Sequence, residues 1–322
     1  MEPFVGTVFE DYMAQELELI ESKEAIQIGL DADLDVLYIM IPDFMSEKAI
    51  KMISYAILEL FNTFPNQKVS AKDERHKEEE DVSVYHLMDW VPEGKQHDAC
   101  ASRQILANGK VFAVESIIRL STALKVFRQV TSAYFENIDN SMWKTYRDVA
   151  GRCTEAYGRL MKSSLDDAFL GLAINNGRVK NHRDWNDIQG GLSVLASYGC
   201  FEGGELCLPQ IGVKFLYKPG EVIFISSQAV EHFIAPYTGF RIGTVHCSHN
   251  SRRVLAEKAR ALESELDMLA KTDVGLLFER LNELCEEEEE YRKELARKRE
   301  TNAKKAEAKK RANENNHTPK KK

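Results

Sequence analysis

Between residues 191 and 246, short apolar runs alternate with tight-turn signals, and this rhythm constrains the fold more than any other feature. Gly191-Leu-Ser-Val-Leu-Ala-Ser-Tyr198 is a β-rich run, and Phe201-Glu-Gly-Gly-Glu-Leu-Cys-Leu-Pro209 is a Gly-Gly turn entering an alternating strand. Lys214 to Tyr217 reads as another strand. Pro219-Gly220 then turns the chain into the strand Glu221 to Ile225. Gly239 reads as a break before a last strand, Arg241 to His246. No helical period interrupts them. The expected class is therefore α+β, a double-stranded β-helix (jelly-roll) core buttressed by N- and C-terminal helices.

Around these strands lie residues with metal-ligand chemistry. Asn181-His182-Arg183-Asp184-Trp185-Asn186-Asp187 contains a His-x-Asp pair, and His232 follows 48 residues after Asp184. Two neutral imidazoles and one carboxylate make the facial triad that holds non-haem Fe(II) and leaves coordination positions open. A structural zinc site favours four ligands, commonly with paired cysteines, and the chain has no Cys-x-x-Cys. Arg241 stands nine residues past His232, where a 2-oxoglutarate-dependent enzyme places the partner of the cosubstrate's distal carboxylate. Guanidinium suits that task because it stays charged and grips a carboxylate through two parallel hydrogen bonds.

His182-Arg-Asp184-Trp-Asn-Asp187, the Gly-Gly-Glu-Leu hairpin, Lys218-Pro-Gly-Glu-Val-Ile-Phe224 and Gly239-Phe-Arg-Ile-Gly-Thr-Val-His-Cys-Ser-His249 together resemble the TET/JBP oxygenases. The likeness is to the compact single-domain members of microbial eukaryotes and covers about residues 170–250. It implies an Fe(II) and 2-oxoglutarate enzyme that oxidises methyl groups on nucleic-acid bases. It also implies that Asp187 and His249 contact the polar edge of a flipped base, and that the Gly239–Gly243 strand carries the 2-oxoglutarate arginine. The chain departs from the vertebrate proteins in lacking their Cys-rich segment. Gly243 also lacks the hydroxyl that many 2-oxoglutarate enzymes place two residues after the arginine, so another group must help there. For the 1-carboxylate, Arg178 and Asn175 are candidates, with a structural loop role open for both. Trp185, Phe233 and Phe240 are either base stackers or core residues.

The rest of the chain supplies context. Val36 to Ile41 reads as a buried strand leading to a helix that Ser46 starts and Phe64-Pro65-Asn66 ends. Its apolar face comprises Ile50, Ile53, Ala56, Ile57, Leu60 and Phe61. The charge run Asp73–Asp81 reads as a solvated loop, and Phe112 to Phe135 and Met142 to Lys162 read as helices. His86 and His97 read as surface or core residues rather than metal ligands. Arg252 to Leu284 has helical leucine spacing interrupted near Thr272-Asp273. One domain is thus expected over 1–285: support over 30–165, the catalytic core over about 166–250 and packing helices over 251–285. A charged, basic tail without regular structure follows over 286–322.

That tail, from Tyr291 on, holds 13 Lys and Arg against 4 Glu, a net +9, so the chain's −8 leaves −17 on residues 1–290. It suits a phosphate-backbone tether, a nuclear import signal or plain solubility. The N-terminus lacks a signal-peptide layout, no apolar run reaches membrane-spanning length, and the six cysteines show no pairing pattern. These features point to an intracellular chain, nuclear or cytoplasmic, in a reducing compartment. The expected substrate is methylated DNA, with 5-methylcytosine taken to 5-hydroxymethylcytosine and beyond; thymine, N6-methyladenine and RNA stay open. The alternative is a protein hydroxylase of the prolyl type, which shares the fold and the triad. A third reading is a jelly-roll binding module, against which the intact triad and Arg241 argue.

Overall fold

The computed structural model describes residues 13–20, 25–64, 82–91, 99–102, 105, 111–161 and 167–316. The Asp73–Asp81 charge run, His97 and the terminal Thr318–Lys322 lie outside the described residues. Chain order gives strands β1 (Glu18–Ile20), β2 (Gln27–Leu30) and β3 (Val36–Ile41), then helix α1 (Glu47–Thr63). Strands β4 (Val84–Trp90) and β5 (Cys100–Ala101) precede helices α2 (Val111–Ile138), α3 (Asn140–Gly151) and α4 (Glu155–Leu160). The core strands are β6 (Gly171–Asn175), β7 (Ser193–Gly203), β8 (Leu206–Leu208), β9 (Val213–Phe215), β10 (Val222–Ile225), β11 (Phe233–Ile234) and β12 (Tyr237–Cys247). Helices α5 (Asn250–Thr272) and α6 (Val274–Asn316) end the chain.

The strands form two sheets, an eight-stranded one ordered β2-β3-β10-β7-β12-β6-β4-β5 and a four-stranded one ordered β1-β9-β8-β11. Every pairing is antiparallel except β1 with β9. This is the jelly-roll, with helices covering the outer face of its larger sheet. The central strands are apolar on both faces because both faces are covered. Ile223 and Ile225 of β10, with Tyr38 and Met40 of β3, meet Leu206, Leu208 and Phe215 of the small sheet. Their alternate neighbours Val222, Phe224, Ile39 and Ile41 pack instead with Ile53, Ile57 and Leu60 of α1 and Leu124 and Phe127 of α2. Helix α1 begins where expected, with the Ser46 hydroxyl accepting from the Ala49 N–H at 3.3 Å.

Three expectations need correction. Gly239 does not break the strand: β12 runs through it at φ 95°, paired with Phe201, and a Cβ there would lie 2.4 Å from the Cys200 carbonyl. The close approach of β7 and β12 makes glycine necessary at that point. The Met142–Lys162 helix is two helices, because Arg152 leaves helical geometry and Thr154 starts α4. The tail is helical to Asn316 rather than without regular structure. Glu–Lys/Arg pairs four residues apart repeat along it, at 2.6 Å for Glu288–Arg292, 2.7 Å for Glu289–Lys293 and 2.6 Å for Glu294–Lys298. Each such pair supports an exposed helix a little, and composition alone undercounts their sum.

The chain divides into two compact units, 1–257 and 258–322, a split inside α5 rather than after residue 285. The α5–α6 break falls at Asp273 as expected, and its carboxylate accepts from the N–H groups of Gly275 and Leu276. Among the described residues, no helix is long and apolar enough to cross a membrane.

Behind β12 lies a titratable group that the site does not use. His246 is fully buried between Phe127 and Phe169, and neither ring nitrogen has a hydrogen-bond partner among the described residues. Burial first, then the nearby Arg128 guanidinium, holds its pKa well below the ordinary value. The folded chain therefore refuses a proton that the unfolded chain takes up near pH 6.5, so stability falls as pH drops below that point. His246→Phe keeps the aromatic packing and removes both the pH term and two unpaired nitrogens. The variant should gain about 1–3 kcal/mol at pH 5 and less at pH 8. Urea unfolding at the two pH values checks this, and an equal gain at both would contradict it.

Candidate active site

Two segments far apart in sequence meet as backbone partners. His182 and His232 form an antiparallel bridge, exchanging N–H···O bonds of 3.1 and 2.9 Å. The Asp184 N–H donates to the Ser227 carbonyl at 2.9 Å, tying the same loop to the turn before His232. The imidazoles emerge side by side, with ring centroids 4.3 Å apart. Asp184 faces both, its oxygens 3.6 Å from His182 Nε2 and 3.7 Å from His232 Nε2. One ligand atom from each of the three lies within 4.8 Å of the others.

The ring orientations follow from the backbone. His182 Nδ1 lies 2.8 Å from the Lys180 carbonyl, and His232 Nδ1 lies 3.1 Å from that of Val230. A carbonyl only accepts, so each Nδ1 donates to it and each Nε2 is the ring nitrogen turned toward Asp184. Outer partners of this kind orient metal-binding histidines. Two neutral nitrogens and one carboxylate suit Fe(II), and the donor chemistry fits the ion that the motif implies.

Arg241 lies in the same cavity, of about 610 Å³, which Asn175, His182, Asp184, Asp187, His232 and His249 also line. Its side chain is 2% exposed, and burial lowers its pKa. Three aromatic rings surround the guanidinium carbon, Tyr217 at 5.3 Å, Phe201 at 5.4 Å and Tyr237 at 5.8 Å. No carboxylate of the described residues comes within ion-pair distance of it, and its Nε lacks a hydrogen-bond partner. A buried cation held only by ring faces is costly unless an anion meets it. The distal carboxylate of 2-oxoglutarate fits that requirement. Gly243 keeps the approach open, since a Cβ there would lie 3.3 Å from both Arg241 Nη1 and Asn175 Oδ1.

Of the two residues offered for the other carboxylate, Asn175 lines the cavity opposite Gly243, and its Oδ1 has no hydrogen-bond partner among the described residues. Arg178 is half-buried and does not line it. Tyr217 was missed by sequence reasoning. It holds φ 51°, with its carbonyl accepting from Ser197 Oγ at 3.0 Å, and its ring faces Arg241. The Pro-Gly turn just after it was legible, but the positive φ that aims the ring was not. Backbone strain of this kind concentrates at functional sites.

Asp187 and His249 are bridged as well, and His249 Nε2 lies 3.9 Å from Asp187 Oδ1. Asp187 is buried, and its Oδ2 accepts from Ser193 Oγ at 2.7 Å and Ser227 Oγ at 2.8 Å. Burial, then the charge of Asp184, raises its carboxyl above the ordinary range, while burial lowers the His249 imidazole. Of the three possible stackers, Phe233 is a buried wall residue, Trp185 stands 64% exposed at the cavity, and Phe240 does not line it. Two lining residues were unforeseen. Trp90 sits with its ring centroid 6.5 Å from that of His249, and His86 shares the inward face of β4 with it.

The fold is shared with a solved structure described as NgTET1 in complex with 5mC DNA. That match has 15% identity, a TM-score of 0.50, and covers 77% of this chain and 90% of that one. A viral collagen prolyl hydroxylase from Paramecium bursaria Chlorella virus-1, in a 2-oxoglutarate complex, overlaps less well, with 13% identity and a TM-score of 0.33 over 66% of this chain and 95% of that one. An oxidoreductase of the 2OG-Fe(II) oxygenase family from Burkholderia pseudomallei gives 16% identity and a TM-score of 0.35 over 66% and 88%. No protein-family model and no curated protein matches the sequence.

Proposed function

We propose that this chain is an Fe(II)/2-oxoglutarate-dependent dioxygenase that oxidises the methyl group of a modified DNA base, with 5-methylcytosine as substrate. One observation carries the reading: a single cavity holds both a His/His/Asp donor set and a buried guanidinium without a carboxylate partner. Iron with 2-oxoglutarate and O₂ supplies the oxidant for an unactivated C–H bond. His182, Asp184 and His232 hold the metal, and Arg241 fixes the cosubstrate by its far carboxylate. Tyr217, Phe201 and Tyr237 shield that contact from water, which strengthens it.

Beyond the metal ligands, Asp187 and His249 meet the substrate. A flipped base presents its polar edge to the pocket wall, and its extrusion costs a few kcal/mol that edge contacts and stacking offset. The Asp187 carboxylate accepts from an exocyclic amine, while the neutral His249 imidazole donates to a ring nitrogen or carbonyl. Ser193 and Ser227 fix the carboxylate for this role. The net −17 of residues 1–290 favours a second reading, a protein hydroxylase of the prolyl type.

Mass spectrometry of a methylated oligonucleotide incubated with the protein, Fe(II) and 2-oxoglutarate separates the two. Asp187→Ala and His249→Ala should each slow base oxidation by about 10- to 100-fold, the value of a good edge contact, while 2-oxoglutarate binding persists. Oxidation at the parent rate by both variants would remove the base-pocket assignment and favour the peptide substrate.

A further inference from the structure

The loop that carries the metal ligands also presents an aromatic surface that the chemistry above leaves unused. Trp185 lies directly after Asp184 and is 64% exposed, an unusual place for an indole. Its loop is pinned on both sides. Asp184 donates its N–H to Ser227 and Ile188 to Ser248, and the Asn250 N–H donates to the Asn186 carbonyl. The Arg183 guanidinium carbon rests 3.9 Å above the indole centroid. Glu231 steadies that arginine from 4.0 Å and accepts from Asn181 Nδ2 at 3.1 Å. Arg183 and Trp185 both line the cavity that holds the ligand set.

We propose that Trp185, with Arg183 laid on its ring, is the stacking platform for the nucleobase next to the one being oxidised. The proposal rests on the base-oxidation reading and goes further, because it names what holds the rest of the strand. A nucleotide in the cavity stays tied to its neighbours through phosphodiesters, and those neighbours must cross the rim. A rigid indole offers a flat apolar face there, and stacking on it tolerates any base. Arg183 covers the opposite face of the ring and so holds a cation at the same rim for the adjoining phosphate. The charge balance argues for such a device, since an acidic −17 body draws little affinity from phosphates alone. Trp185 therefore sets a minimum substrate length above one nucleotide and favours a purine, the better stacker, beside the target.

The test uses the full chain with Fe(II) and 2-oxoglutarate under anaerobic conditions, so that binding is read without turnover. The probe is a short single-stranded oligonucleotide with one 5-methylcytosine and 2-aminopurine on either side of it. The wild-type protein should quench 2-aminopurine at one flank. Trp185→Ala should abolish that quenching and weaken binding on the order of tenfold or more, and Trp185→Phe should restore part of both. If Trp185→Ala binds and quenches like the parent, the platform is overturned while base oxidation stands. If the wild type binds no methylated oligonucleotide but a proline-containing peptide quenches its tryptophan fluorescence, both readings fall together.

Discussion

Arg241→Met raises the 2-oxoglutarate concentration needed for half-maximal turnover by about 10- to 100-fold and leaves the fold intact. The first half follows from the loss of a charge-assisted contact worth about 1.5–3 kcal/mol. The second half is specific to this site. A guanidinium 2% exposed with no carboxylate beside it is an expense to the folded chain, which three aromatic rings offset only in part. Methionine fills much of the same space among those rings without a charge. Thermal unfolding with and without 2-oxoglutarate reads both halves together. The parent should gain stability as ligand is added, and the variant should start no lower and gain little. An unchanged half-saturation point would mean that another residue holds the distal carboxylate.

Alanine at His182, Asp184 or His232 should remove metal-dependent turnover. Loss of a partner that only orients a metal ligand costs about 10- to 100-fold in affinity or activity. Loss of a direct ligand from a set of three costs more, so no turnover above background should remain at limiting iron. Asp184→Ala is the cleanest of the three, since its side chain is 20% exposed and its backbone bond to Ser227 survives the change. Succinate release together with metal content after dialysis checks the result. Normal succinate production by any one variant would contradict the assignment.

How far these residues were legible in the sequence depends on what each one needs. The strands of the jelly-roll announced themselves through glycine and proline punctuation, because turns demand particular backbone angles. The His-x-Asp pair and His232 were legible because few side chains offer metal ligation. The bridge that brings them together was not, since it depends on a long-range pairing of two irregular segments. Nor was the aromatic enclosure of Arg241, as Phe201, Tyr217 and Tyr237 come from three separate stretches and look like core residues in isolation. Trp90 and His86 were hidden for a related reason. Their strand, β4, pairs with β6 across more than eighty residues of chain, and only that register turns them inward. The α6 helix was obscured by composition, because its stabilising pairs are local and its sequence is otherwise that of an unfolded tail.

The mutual hydrogen bonds of His182 and His232 make the metal a late arrival. Their rings are held side by side by main-chain hydrogen bonds that need no ion to form. Zinc fingers are the opposite case, since their binding energy is their folding energy. Here the socket belongs to the scaffold, so the ion is exchangeable cargo. The chain should therefore stay folded when a chelator removes the ion, which circular dichroism before and after chelation checks. Emptying such a socket would be an interruption of service rather than a collapse.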